Sequence, residues 1–182
     1  AINTAKSFGF EIVPPSINKS GRVWEIGEDG NTLIYSDSPR GGIGLVDIKD
    51  IHNPKAKGFI DLKGEPTSVA GVGQWVIAGV NTSASYTEPS GYLAIVDQAT
   101  QKVVQRCDLG GQPDSVAVSK DGRYIAVAIE NERDEDLNDG AMPQMPAGFV
   151  SIIEFDSKTG QCKATHKISV EGLAKIAPTD PE

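Results

Sequence analysis

The chain has 182 residues, with 25 acidic against 17 basic side chains, a formal charge of −8, 38% hydrophobic residues, 20 Gly and 11 Pro. That is too apolar for a disordered chain and turn-rich enough for an all-β one. The acidic balance and the lack of a basic stripe argue against a nucleic-acid partner, and no apolar run approaches the roughly 18 residues that a membrane-spanning helix needs.

The chain starts Ala1-Ile2-Asn3-Thr4, with neither an initiator Met nor a basic-then-apolar leader, and so reads as a mature or trimmed end. Residues 1–22 hold an alternating strand, Phe8-Gly9-Phe10-Glu11-Ile12-Val13, stopped by Pro14 and Pro15. This segment reads as a linker or as the last strand of a preceding unit. Residues 23–64 then show four short strands: Val23 to Ile26, Thr32 to Ser36, Ile43 to Ile48 and Gly58 to Leu62. Residues 65–111 repeat the pattern. Pro66-Thr67-Ser68-Val69-Ala70 leads to Trp75-Val76-Ile77-Ala78-Gly79-Val80, then Gly91 to Asp97, then Lys102 to Leu109. Residues 112–170 repeat it again, with Pro113-Asp114-Ser115-Val116-Ala117, Tyr124 to Ile129, Gly148 to Glu154 and Gln161 to Ile168. At 171–182 a further copy begins with Leu173-Ala174-Lys175-Ile176-Ala177 and breaks off.

Four short strands every ~45 residues is the spacing of β-propeller blades. The second and third strands are nearly unbroken apolar runs, as expected of strands covered on both faces by neighbouring blades. A two-sheet sandwich would not repeat one four-strand unit three times. The expected fold is therefore all-β: about three four-stranded antiparallel blades plus partial ends. Propellers usually have four to eight blades, so the ring is incomplete in this chain. The partner this implies is the remaining blades, from the same precursor or from a second chain. Three origins fit: a piece of a longer protein, one product of a nick, or a self-pairing half.

In a blade, the loop between the second and third strands and the loop between blades emerge on one rim, where propeller ligands gather. That rim is expected to bring together Asp37, Arg40, Glu65, Asn81, Glu88, Asp114 and the long loop from Asn131 to Ala147. The loop's first part, Glu130-Asn131-Glu132-Arg133-Asp134-Glu135-Asp136-Leu137-Asn138-Asp139, packs six carboxylates into ten positions. Hard oxygen ligands at loose spacing suit calcium, which makes Glu130, Glu132, Asp134, Glu135, Asp136 and Asp139 the candidate metal ligands. The spacing is not that of an EF-hand, and a plain solvated charge run is the competing reading.

The loop continues through Met142-Pro143-Gln144-Met145-Pro146, stiffened by its prolines. Its two Met residues are expected to pack the loop onto the blade. His52 sits in a turn and His166 in an outer strand, so no His cluster offers a zinc site. There is no Gly-x-Ser-x-Gly elbow and no haem-attachment motif. Cys107 and Cys162 fall in outer strands of different blades. They fit a disulfide or two free thiols. Because neighbouring blades splay apart at the outer edge, and disulfide Cα atoms must lie within about 7 Å, the expectation favours two thiols or partners elsewhere.

The stretch Gly111-Gln112-Pro113-Asp114-Ser115-Val116-Ala117-Val118-Ser119-Lys120-Asp121-Gly122-Arg123-Tyr124-Ile125-Ala126-Val127 resembles the YVTN-type propeller repeat. Leu45-Val46-Asp47-Ile48 followed by Asn53-Pro54 resembles the LVIVD-type blade of cell-surface propellers. Ala128 to Glu135 followed by Pro143-Gln144-Met145-Pro146-Ala147-Gly148 is similar to a segment of phytase-like esterases and alkaline-phosphatase-like surface proteins. The resemblance implies an extracytoplasmic propeller, periplasmic, secreted or at the cell surface. Two functions follow as expectations. One is non-catalytic binding of a ligand or partner through the rim loops. The other is calcium-dependent phosphoester hydrolysis, with Glu130, Glu132, Asp134 and Glu135 holding calcium and a phosphate ester as the small ligand. A lactonase-like or redox propeller is a third.

Overall fold

The computed structural model describes residues 24–141 and 143–170. The expected leading strand in 1–22 and the expected further blade in 171–182 lie outside the described residues.

Among the described residues, twelve strands form three four-stranded antiparallel sheets, each a simple meander in chain order. The first sheet is β1 (Trp24–Ile26), β2 (Thr32–Asp37), β3 (Gly42–Asp47) and β4 (Lys55–Asp61). The second is β5 (Glu65–Val72), β6 (Trp75–Asn81), β7 (Gly91–Asp97) and β8 (Lys102–Asp108). The third is β9 (Pro113–Val118), β10 (Tyr124–Ile129), β11 (Phe149–Asp156) and β12 (Gln161–Ser169). These are three propeller blades, and as described they do not close a ring.

Successive first strands meet, since β5 packs against β1 and β2 while β9 packs against β5 and β6. The fourth strands lie outermost, and side chains along β8 and β12 are alternately or wholly exposed. The middle blade explains why β6 and β7 read as unbroken apolar runs. Along β6, alternate side chains serve two cores. Val76, Ala78 and Val80 join Ile34, Ile43 and Leu45 of the first blade. Trp75 and Ile77 join Ile125, Val127 and Ile129 of the third. Along β7, Ala94 and Val96 face one way, Leu93 and Ile95 the other. A strand side chain switches face at every residue, so burial on both sides demands apolar residues throughout. Among the described residues, the third blade is covered on one face only. There β11 alternates, with Phe149, Ser151, Ile153 and Phe155 buried and the residues between them half-buried.

The cysteine expectation is corrected. Cys107 and Cys162 form a disulfide with Cα atoms 6.5 Å apart. Both residues do lie in outer strands, but Cys107 turns inward, 7% exposed, and Cys162 packs against the same core between the second and third blades. A β-bulge interrupts the pairing of third and fourth strands in every blade, at Leu45/Val46, Ile95/Val96 and Glu154/Phe155. Bulges raise local twist, and a twisted outer strand need not splay from its neighbour. The approach of β8 to β12 is close enough for the Cys162 N–H to donate to Gln105 Oε1 at 2.9 Å.

Candidate functional site: a cleft between two rim loops

The loops between second and third strands do share a rim with the blade-to-blade linkers. The Ser38 hydroxyl, in a 3₁₀ turn after β2, donates to the Pro66 carbonyl at 2.7 Å. The Leu109 N–H donates to the Gly91 carbonyl at 3.0 Å, and the Glu130 N–H to the Gln112 carbonyl at 3.0 Å. Contact here is tight. A Cβ at Gly91 would sit 2.3 Å from Pro113 Cδ and 2.8 Å from the Gly111 carbonyl oxygen, so only glycine fits.

The rim residues divide into local groups. Asp37 is buried, with Arg40 at 3.7 Å, and the Arg40 guanidinium stacks over Phe59 at 4.0 Å. Asn81 Nδ2 donates to Glu65 Oε2 at 3.4 Å. Glu88 closes the tip of the β6–β7 loop, its N–H donating to the Ser85 hydroxyl at 3.2 Å. Asp114 lies near enough to Glu130 to repel its charge. Burial first, and then Asp114 and Glu132, push the Glu130 carboxyl above its usual range.

Side-chain amides hold the long β10–β11 loop in shape. Gln112, from the linker, binds Glu132 twice: its Oε1 accepts the Glu132 N–H at 3.0 Å and its Nε2 donates to Glu132 Oε2 at 3.2 Å. Gln144 does the same for Asp134, with Oε1 accepting the N–H at 2.8 Å and Nε2 donating to the carbonyl at 2.9 Å. Asn131 Oδ1 accepts the Gln112 N–H at 2.9 Å, while its Nδ2 donates to the Ala147 carbonyl at 3.1 Å. Asn131, Asn138 and Asp139 take positive φ of 48°, 52° and 55°, a conformation their short polar side chains tolerate.

Of the six expected metal ligands, Glu130 lies within electrostatic reach of Glu132 and of Asp114. Asp134 turns its carboxylate onto the Asp136 N–H at 3.0 Å. Glu135, 81% exposed, pairs with Arg133 at 3.8 Å. Asp136 and Asp139 are exposed. Among the described residues no group of three or more Asp, Glu, His or Cys side chains is arranged to hold a metal ion. The expected packing of the two Met residues onto the blade is corrected for Met145, which is 68% exposed. Met142 lies outside the described residues.

Between this loop and the tip of the β6–β7 loop lies a cleft of about 260 Å³. Tyr86 and Thr87 of the second blade form one wall. Leu137 and Met145 give the other wall its apolar surface, and Glu132 and Asp134 its charge. Tyr86 is 46% exposed and Leu137 49%. Sequence reasoning missed Tyr86, although a lone aromatic amid Ser85, Thr87 and Glu88 was a usable signal. The bracing amides Gln112 and Gln144 gave none, because their role depends on partners brought up by folding.

A family model described as the choice-of-anchor I domain matches residues 28–177. The chain belongs to the choice-of-anchor I domain family. Among solved structures it is similar to hydrazine synthase of Kuenenia stuttgartiensis, with a TM-score of 0.56 and 13% identity over 80% of this chain and 36% of that one. It is similar to the dihydro-heme d1 dehydrogenase NirN, with a TM-score of 0.53 and 15% identity over 81% of this chain and 28% of that one. A functionally unknown protein from Desulfotomaculum acetoxidans aligns with a TM-score of 0.51 and 15% identity, over 83% of this chain and 43% of that one. This choice-of-anchor I chain thus spans less than half the length of each structure, and at such identities the likeness is one of fold. No curated protein matches it. The neighbours show a β-propeller fold, and the choice-of-anchor family points to a surface-associated protein. No helix among the described residues is long and apolar enough to cross a membrane.

Proposed function

We propose that this propeller segment works outside the cytoplasm as a binding module, taking a ligand through its rim loops without chemical turnover. The carrying observation is the cleft itself, walled by loops of two different blades and held open by Gln112, Asn131 and Gln144. A loop braced by side-chain amides is pre-ordered, so a ligand that enters spends little of its binding energy on ordering the site. The disulfide supports the compartment, since such bonds persist where thiols are kept oxidised. The remaining blades, in the same precursor or another chain, complete the ring in this reading.

Calcium-dependent phosphoester hydrolysis, as in phytase-like propellers, is the second reading. The burial of Glu130, with the repulsion that Asp114 and Glu132 add to it, favours it, because a carboxylate whose charge is so disfavoured gains from a nearby cation. Without that cation the same charges repel a phosphate ester.

The test compares the intact chain with a variant whose residues 132–145 are replaced by a short Gly-Ser link. Saturable binding of a peptide, oligosaccharide or phosphate-ester probe by the intact chain, lost in the variant while the β circular-dichroism signal persists, is the expected result. Binding that survives the replacement removes the rim loop from the function. Phosphatase turnover that appears with calcium and vanishes with chelator would favour the second reading.

A further inference from the structure

We infer that the cleft between the β6–β7 and β10–β11 loops is built for a positively charged side chain carried next to an apolar one, as in a peptide segment with Arg or Lys beside Leu. The inference rests on the binding-module reading and names the chemistry of its ligand.

The hydrogen-bonding groups that line the cleft set the chemistry of what can enter it. Two lining amides are already committed: Asn131 to the Gln112 N–H and the Ala147 carbonyl, Gln144 to both backbone groups of Asp134. Thr87 shares a hydrogen bond with the Ser85 hydroxyl at 3.2 Å. Glu132 Oε2 already accepts from Gln112 Nε2 and Asp134 Oδ1 from the Asp136 N–H, but a carboxylate has lone pairs for several donors, so what the cleft walls still present is mainly acceptor capacity, with Asn138 as the remaining amide at the edge. An ionised carboxylate accepts and cannot donate, so the complementary ligand is rich in donors. Guanidinium and ammonium groups offer donors alone, and charge strengthens each bond they make.

Charge points the same way. The loop's one cation, Arg133, is occupied by the Gly140 carbonyl at 3.2 Å and by Glu135 at 3.8 Å. It leaves the surrounding carboxylates of Glu130, Glu132, Asp134, Asp136 and Asp139 unbalanced. An anionic ligand is repelled there. A neutral sugar can donate its hydroxyl hydrogens to these carboxylates but leaves their charge unbalanced. The apolar walls account for the second half of the ligand. The exposed Tyr86 ring lines the cleft and supplies an aromatic surface of the kind that attracts cations, and Leu137 and Met145 offer contact to an aliphatic neighbour. A volume near 260 Å³ admits about one or two side chains and excludes a folded surface, which favours an extended peptide.

The experiment uses the full chain and a fluorescent acetyl-Ala-Leu-Arg-Leu-Ala peptide, followed by anisotropy, with the Gln-for-Arg peptide as control. The Arg peptide is expected to bind at least about tenfold more tightly than the control, and to weaken in high salt. Glu132→Gln and Tyr86→Ala should each weaken it by roughly three- to tenfold with the circular-dichroism spectrum unchanged. Equal binding of the two peptides overturns the charge argument. Loop-dependent binding of a neutral oligosaccharide or a phosphate ester, with no peptide binding, overturns this inference and leaves the binding-module reading standing. Peptide binding that is indifferent to replacement of residues 132–145 overturns both.

Discussion

The two blade interfaces solve one packing problem in different ways. Between the first and second blades, large side chains of the first, Ile34, Ile43, Leu45, Ile60 and Leu62, meet small ones of the second, Val76, Ala78, Val80, Ala94 and Val96. The polar links there are all non-covalent. The Glu28 N–H donates to Gln98 Oε1 at 3.0 Å, Ser38 binds the Pro66 carbonyl, and the Tyr92 hydroxyl donates to the Leu62 carbonyl. Between the second and third blades both partners are large: Trp75, Ile77, Leu93 and Ile95 face Ile125, Phe149, Ile153 and Phe155. Trp75 Nε1 donates to the Ser157 carbonyl at 2.8 Å, and the disulfide closes the outer edge. The covalent link therefore falls on the interface that also carries the cleft, between the two blades whose loops must stay in register. An outer edge filled by Tyr92 and Val103 at one interface is stapled by Cys107–Cys162 at the other.

Removing the staple tests that difference most strongly. Cys107 and Cys162 are separated by 55 residues, and in the chain-entropy model closing a loop of that length is worth roughly 4 kcal/mol. The Cys107→Ser, Cys162→Ser double variant should show a loss of that order in chemical denaturation. Its extra amide exchange should be concentrated in the third blade. A variant as stable as the parent would mean that the large side chains alone hold this interface.

Core truncation at matched depth comes next. Ile34→Ala and Ile77→Ala each remove a fully buried side chain from one interface, and each should cost about 2–5 kcal/mol. Native-state hydrogen exchange should tell them apart. Ile34→Ala is expected to let the first and second blades part, whereas Ile77→Ala leaves its blades tethered. Identical exchange patterns would break the comparison.

The smallest effect lies at the edge of the first blade. Burial opposes ionisation of Asp29, but hydrogen bonds from the Thr32 hydroxyl, the Asn31 N–H and Lys57 outweigh it and hold the pKa at about 2 against an ordinary 3.8. The folded chain thus favours the carboxylate. The resulting stabilisation is complete above pH 3.8 and is lost as pH falls toward 2. With the side chain 45% exposed, solvent screening keeps it below about 1 kcal/mol. Asp29→Asn should lower stability slightly at neutral pH and flatten the acid limb of a pH–stability curve between 4 and 2. An unchanged acid limb would assign that pH dependence to other carboxylates.

The repeat made the fold legible, because a blade strand announces itself locally. Apolar runs such as Trp75 to Val80, turn residues and their recurrence along the chain need no partner to be read. The shared rim was legible for the same reason, since blade topology alone sends Asp37, Asn81 and Glu130 to one end. Beyond this, distances between blades decided what the sequence left open. Cys107 and Cys162 looked too far apart because twist and bulges in β7–β8 and β11–β12 are properties of the assembled sheets. The six carboxylates are neighbours in sequence, but the backbone between them passes through the left-handed residues Asn131, Asn138 and Asp139, and among the described residues no three such side chains are arranged to hold a metal ion. Tyr86 and Leu137 lie far apart in the chain and share a cleft only through blade packing. Periodicity and repeat length are written residue by residue; the bridge and the cleft depend on long-range geometry, and that arises only when the blades stack.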